Sequence, residues 1–258
     1  MNTFGKKSFL RKLKSMLTVD FKRMFTMPLI YIMAGVCFAM PILILVMTTM
    51  MGDAEEGAEA MGTFTNVWQA IGSVSGAGMS MDLTSMCNIN MLYFLVAVLV
   101  CIFVADDFKS GYAKNLFTVR SKKVDYVCSK SLVCFVGATI MFVAYFIGAM
   151  IGGAIAGLPF TTEGFGAGGV IACMLSKIFM TAIFVSIALC LGTVAKQKLW
   201  LSILCSFAAG MLLFTMIPMI SPLDSGFVNV VMCLAGGGLF AVGLGAVSNL
   251  ILNKTSLV

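Results

Sequence analysis

Long apolar runs alternate with short polar connections along this chain, and each run is continuous instead of alternating residue by residue. Crossing a hydrocarbon core roughly 30 Å thick takes about 20 residues of helix. Six runs meet that length: residues 28–50, 85–104, 131–157, 169–195, 199–220 and 226–251. The strands of a β-barrel would show an inward–outward alternation that these runs lack. The pattern therefore predicts an all-α integral membrane protein, a single transmembrane domain over residues 1–258 with six transmembrane helices. The longest connections are 51–84 and 105–130, and neither has room for a folded soluble domain.

The sparse charges set the orientation. The N-terminal segment carries Lys6, Lys7, Arg11, Lys12, Lys14, Lys22 and Arg23 against Asp20 alone. The second connection carries Lys109, Lys114, Arg120, Lys122, Lys123 and Lys130 with Asp106, Asp107 and Asp125. Lys196 and Lys198 fill the fourth, and Lys254 lies in the tail. The remaining connections hold only acidic charges: Asp53, Glu55, Glu56, Glu59 and Asp82, then Glu163, then Asp224. Lys and Arg collect on the cytoplasmic side of membrane proteins. Both termini are accordingly predicted to be cytoplasmic, and 51–84 is an outer acidic loop. The net charge of +6 is the remainder of a gradient, with sixteen basic and four acidic groups inside, seven acidic groups outside, and Lys177 within a run.

Ahead of the first run, Phe9, Leu10, Leu13, Met16, Leu17, Phe21, Met24 and Phe25 recur at helical spacing with basic residues between them. Residues 6–26 are thus predicted to form a basic amphipathic helix on the inner membrane surface, its apolar face in lipid. A fixed anchor and an elbow that tilts as the protein changes state both fit. The charged region and the apolar run after it are too long for a cleavable signal peptide, so span one is expected to remain as a signal anchor.

Composition narrows the function classes. Of 258 residues, 60% are hydrophobic and 11% charged, against about 45–50% and roughly 25% in soluble domains. There is no His, which removes Ser-His and Cys-His nucleophile pairs, HExxH zinc sites and His-ligated haem. No G-x-x-x-x-G-K-[ST] occurs, so the chain has no P-loop for ATP. Nine cysteines form no CxxC pair and fall mostly in apolar runs, as small hydrophobes do. Met79, Met81, Met86, Cys87 and Met91 crowd the outer end of the second run. Soft sulfur suits Cu(I), and it also suits an adaptable apolar surface.

The 105–130 connection reads ADDFKSGYAKNLFTVRSKKVDYVCSK. Phe108, Tyr112, Leu116 and Phe117, with Gly111 among them, predict a short helix, a turn, and a helix running into span three. Its mixture of aromatics with both charge signs fits a loop that meets a partner. DFKSGYAKNL, followed by a basic stretch and SK, resembles the first cytoplasmic loop of ATP-binding-cassette type-2 permeases. Asp107, Phe108, Lys109, Gly111, Lys114, Asn115 and Leu116 occupy that family's positions. Tyr112 stands where Thr is commoner, and Asp107 where Glu is usual. DFKRMFTMPLIYI, from Asp20 onward, is similar to the family's elbow helix, and LGTVAKQK at 191–198 to the inner end of its span four.

The resemblance implies a membrane subunit that pairs with a second permease copy or a homologous permease chain. Two copies of a separate cytoplasmic ATP-binding-cassette ATPase would drive it, and ATP and Mg would be bound there. Residues 105–130 would be the coupling loop seated on the ATPase. Asp107, Phe108, Lys109, Gly111, Tyr112, Lys114, Asn115 and Leu116 would form the contact. No catalytic, cofactor or metal site is expected in this chain itself. Membrane lipids are the other expected partner, and nucleic acid is not one.

Inside the runs, Lys177 is the one ionisable residue well away from an end. A charge at a helix centre costs at least ~2.5–3.5 kcal/mol, which makes it a functional candidate. Either Lys177 snorkels to the outer interface, or it lines the translocation path and meets an anionic group or Asp224. Gly148, Gly152, Gly153 and Gly157 give span three two GxxxG pairs, which predict close helix packing. Span six holds a second group, from Gly236 to Gly245. Trp68 is expected to anchor part of the outer loop at the interface as a lid.

These readings point to the permease subunit of an ATP-driven exporter in the plasma membrane of a bacterial cell, itself not an enzyme. Its cargo would be an amphipathic peptide, drug or lipid. An ATPase-independent carrier is one alternative, although such carriers use several intramembrane charges for ion coupling. A non-transport immunity or anchoring protein is the other.

Overall fold

The computed structural model describes residues 3–52, 64–73, 88–119, 123–162, 164–214 and 216–254. Among them the helices are α1 (Thr3–Thr26), α2 (Pro28–Gly52), α3 (Leu92–Lys109), α4 (Tyr112–Val119) and α5 (Val124–Ile155). They continue with α6 (Gly166–Ala195), α7 (Leu199–Phe214), α8 (Ile217–Ile220) and α9 (Phe227–Lys254), and short 3-10 turns lie at Val67–Ala70 and Ile89–Met91. No strand occurs among the described residues. Five segments are long and apolar enough to cross a membrane: Pro28–Met50, Ile89–Lys109, Val124–Ile155, Gly166–Ala195 and Phe227–Lys254. The chain is a multi-pass, all-α membrane protein.

The fifth expected run is shorter than a full crossing. α7 has 16 residues, about 24 Å at 1.5 Å per residue. Pro218 has no N–H to give the carbonyl of Phe214, so the helical ladder stops there and α8 begins as a separate turn. Other boundaries move outward. α3 runs on through Asp106, Asp107, Phe108 and Lys109, and α5 starts at Val124 and takes in Asp125 and Lys130. Asp106, Asp107 and Lys130 are each paired with an opposite charge, which lets the helices run on through them.

α3 is the most enclosed helix and packs on α6 and α7, while α5 packs on α1 and α2. α6 joins the two groups and carries α9, which buries the smallest share of its surface of the five spanning segments. Tyr93 of α3 stacks on Phe184 of α6 with ring centroids 4.3 Å apart, and Phe142 of α5 approaches the same ring at 5.2 Å. The bundle's outside is lined by exposed apolar side chains such as Ile32, Leu43, Ile147, Leu212 and Leu239, as a lipid-facing surface requires.

α1 departs from the interfacial expectation. Met16, Asp20 and Met24, spaced one turn apart, are buried, and α1 packs along the first half of α5. Of the face expected to sit in lipid, Met16, Leu17, Phe21 and Met24 cover protein and Phe25 stays exposed, while Lys14, Thr18 and Lys22 are on the exposed side.

Gly148 and Gly152 do the packing assigned to them. A Cβ at Gly152 would lie 2.7 Å from the Ile42 Cα, and one at Gly148 would run into the Phe38 carbonyl, so α2 and α5 touch backbone to backbone. Gly153 seats Val67 from the outer segment. Gly157 has another role: at φ +69 it closes α5, where the Leu158 N–H donates to the Gly153 carbonyl at 3.0 Å, in a Schellman cap. Gly152→Val is expected to cost about 1–3 kcal/mol by overpacking, read as a lower unfolding midpoint in detergent.

Residues 64–73 cover the C-terminal end of α5. Phe64, Val67, Ala70 and Ile71 are buried, and Trp68 packs on Phe146 and Phe160 at 6.4 and 5.9 Å. The Leu223 N–H donates to the Ser73 carbonyl at 2.8 Å and ties this cover to the turn before α9. Trp68 therefore anchors the segment to protein. The acidic residues of the 51–84 loop, together with Met79, Met81, Met86, Cys87 and Arg120–Lys122 of the basic cluster, lie outside the described residues.

Candidate functional site

The buried face of α1 carries a carboxylate, Asp20, between Met16 and Met24, and the last turn of α3 carries Asp107. Lys130, two turns into α5, lies between them. Its Nζ is 2.7 Å from Asp107 Oδ2 and 3.0 Å from Asp20 Oδ1, and all three side chains are fully buried. The heavy-atom angles of these contacts fall outside hydrogen-bond geometry, so the attraction is Coulombic more than directional. Directed bonds come from elsewhere. The Tyr126 hydroxyl donates to Asp107 Oδ2 at 2.8 Å, and the Ser129 hydroxyl donates to Asp20 Oδ2. The Phe103 ring lies 3.8 Å under the ammonium.

Arg23 extends the cluster toward solvent. Its guanidinium donates to Asp107 Oδ1 and, at 3.0 Å, to Asp106 Oδ2, and it stacks 4.1 Å over the Tyr112 ring of α4. Burial pushes the Arg23 pKa down, but the charge and hydrogen bond of Asp107 more than offset this and the net shift is upward. Burial, helped by the nearby Asp20 and Asp107 charges, raises the Tyr112 phenol. Tyr112 thus stays neutral through the physiological range and serves as a packing platform.

The structure divides the expected coupling residues into two sets. Asp107 and Phe108 are buried and Leu116 is half-buried against the core. Gly111 takes φ +74 and turns the chain from α3 into α4. Its carbonyl accepts the Asn115 N–H at 3.0 Å, which makes it the cap of α4. Lys109, Lys114 and Asn115 are exposed. One face of the corner is held by the protein, and the other is presented outward.

Three stretches far apart in sequence meet here. Asp20 and Arg23 come from the first, Asp107 and Tyr112 from the second, and from 191–198 the Gln197 side chain reaches the Phe108 carbonyl at 3.5 Å. No protein-family model matches the chain, and neither a curated protein nor a solved structure does.

Lys177 lies eleven residues into α6, about 16 Å from its N-terminal end at 1.5 Å per residue. It is fully buried, and its ammonium donates to Asn90 Oδ1 at 2.7 Å, so it does not snorkel to the outer interface. α6 starts at Gly166, earlier than the run suggested, and Asn90 supplies a partner at depth. Asn90 is held by the 3-10 turn, where its N–H donates to the Asn88 side chain at 3.0 Å. The Tyr93 hydroxyl donates to the Lys177 carbonyl at 3.1 Å. Asn90, Lys130, Tyr126 and Ser129 were not singled out by sequence; an acidic residue in the apolar stripe Met16–Asp20–Met24 was the one available signal of the inner cluster. Among the described residues no group of His, Cys, Asp and Glu is arranged to hold a metal ion, and the described cysteines are free thiols.

Proposed function

We propose that the chain is the membrane-spanning permease subunit of an ATP-driven exporter, coupled to a separate cytoplasmic ATP-binding-cassette ATPase. In this reading α7 is a sixth, shorter crossing, both termini are cytoplasmic, and two permease copies face each other across a path for an amphipathic peptide, drug or lipid. The observation that carries the reading is the convergence of all three family-like segments around one buried charge cluster. The corner they build is fixed on its inner side by Asp107 and Arg23 and leaves Lys109, Lys114 and Asn115 outward. Such a corner passes force from a docked partner into the spans, because Arg23 links the loop to α1 and Asp107 links it to α5.

Co-expression with an ATP-binding-cassette ATPase from the same source tests this by co-purification and permease-stimulated ATP hydrolysis. Lys114→Glu combined with Asn115→Ala changes exposed side chains alone, so the permease is expected to stay folded. Co-purification should fall by about tenfold or more, the loss of roughly 1.4 kcal/mol or more of contact. Unchanged binding and stimulation in that variant would remove the coupling role.

A further inference from the structure

α1 and α2 run beside α5 in one direction and in one register. Asp20 meets Ser129 and Lys130, Met24 meets Gly137, Phe38 meets Gly148, and Ile42 meets Gly152. From Asp20 to Ile42 the partner lies about 110 residues further along the chain at every contact. Two parallel helices keep such an offset, and helices that cross do not. The Met27 N–H donates to the Arg23 carbonyl at 3.1 Å, so the helical ladder of α1 carries on to the start of α2. The C-terminal half of α1 therefore continues the line of span one instead of turning to lie along the membrane.

The same register sets the depth of α1. α5 has 32 residues, about 48 Å at 1.5 Å per residue, against a hydrocarbon core of roughly 30 Å. The excess lies at its N-terminal end, among Asp125, Ser129, Lys130 and Ser131, because Ile147, Ile151 and Ile155 present apolar surface up to the last turn. Residues 136–155 then fill the core, and the edge falls level with Thr26 of α1. Arg11, Lys14, Thr18 and Lys22 follow each other at steps of three and four residues, so they share one face, and all four are exposed. At 1.5 Å per residue Lys22 lies about 6 Å beyond the edge, Lys14 about 18 Å and Arg11 about 22 Å. Headgroups take up about 5–8 Å on each side. Lys22 reaches them, and Lys14 and Arg11 stand clear. Among the described residues none of these three cations makes an ion pair.

We propose that α1 stands out from the membrane as a stalk, and that Arg11 and Lys14 dock an acidic face of the separate ATPase. The occupant rests on the function proposed above. Like charges one turn apart on a helix face repel each other, and an acidic surface offsets that repulsion. Lipid does not reach these two residues. The stalk and the α4 corner belong to one end of the molecule, since Arg23, the residue after Lys22, stacks on Tyr112.

The test uses the full chain in vesicles of phosphatidylethanolamine and phosphatidylglycerol. A nitroxide is attached in turn at Ser15, Thr18 and Phe25, exposed positions on the same side of α1, through a ketone-bearing amino acid that leaves the native cysteines alone. Collision with oxygen reports membrane, and collision with a nickel chelate reports water. The nickel-to-oxygen ratio is expected to rise about tenfold from Phe25 to Ser15 as the label leaves the core and its headgroups. An equal ratio at all three positions lays α1 on the membrane and overturns the stalk. In the second arm, Arg11→Glu combined with Lys14→Glu should weaken ATPase binding about tenfold at low salt. It should also flatten the decline of binding with added salt, because exposed charge contacts are screened. Arg11→Lys combined with Lys14→Arg should bind as wild type does. Equal binding and equal salt dependence in the Glu variant, with Lys114→Glu/Asn115→Ala still weakened, overturns the stalk contact and leaves the corner standing. Wild type that binds no ATPase overturns this occupant together with the function proposed above.

Discussion

Lys130→Met is expected to destabilise the protein by about 3–5 kcal/mol, the range for breaking a buried ion pair by removing one partner. The ammonium is fully buried between Asp107 and Asp20, and its loss leaves two buried carboxylates facing each other across the emptied position. Tyr126 and Ser129 still donate one hydrogen bond to each carboxylate, and Arg23 still holds Asp107. Asp20 keeps no cation among these partners and carries most of the penalty. Asp20→Asn in the Lys130→Met background should recover part of the loss, because the amide removes the uncompensated charge and still accepts from Ser129. Chemical unfolding in detergent micelles of the two single variants and the pair measures this coupling. A Lys130→Met protein within about 1 kcal/mol of wild type would show that the cluster does not hold α1 to the bundle.

Lys177 leads to the opposite expectation. The double variant Lys177→Met with Asn90→Leu replaces a buried ammonium and its amide acceptor by apolar groups of similar size. Exchanges of this kind for buried ionic pairs are often neutral or stabilising by about 1–4 kcal/mol. The single variant Lys177→Met leaves the Asn90 carbonyl oxygen without its donor, which costs about 1–3 kcal/mol and cancels much of the gain. The double variant is thus expected to unfold at or above the wild-type midpoint, and under the proposed exporter function it should lose cargo efflux from loaded vesicles. Stability and activity then separate, which marks the lysine as retained for function. A double variant that is clearly less stable than wild type would make the Lys177–Asn90 bond structural. Retained efflux in a folded double variant would take Lys177 out of the translocation path.

Hydropathy located the spanning helices because burial in lipid requires nearly every outward side chain to be apolar, and that requirement is written locally. The close contact at Gly148 and Gly152 was legible for a similar reason: two missing side chains one turn apart on an apolar helix mark where another backbone can approach. The ends of the spans were misplaced wherever charges were read as belonging to water. Asp107 and Lys130 fall in the connection between two expected spans, yet both are buried within the long helices themselves, because their charges are neutralised by residues far away in sequence. No window along the chain contains both Asp20 and Lys130. Lys177 stood out with two readings open, at the interface or along a path, but Asn90 did not, since an amide near a helix start has many ordinary uses. α7 fell short of its run because a hydropathy sum does not register that Pro218 withholds a hydrogen bond.

The pairing of Asp20 with Lys130 also bears on the order of assembly. The acid emerges from the ribosome 110 residues before its counter-ion. At about 5–20 residues per second, that is an interval of roughly 5–20 s. Throughout it the Asp20 carboxylate must be hydrated, so the C-terminal half of α1 waits at the aqueous surface after α2 has had time to insert. The arrival of α5 supplies both the cation and the hydroxyl of Ser129, and α1 docks then. The charge that looks like a defect in an apolar stripe is thus expected to hold the first helix back until the helix it belongs beside has been made.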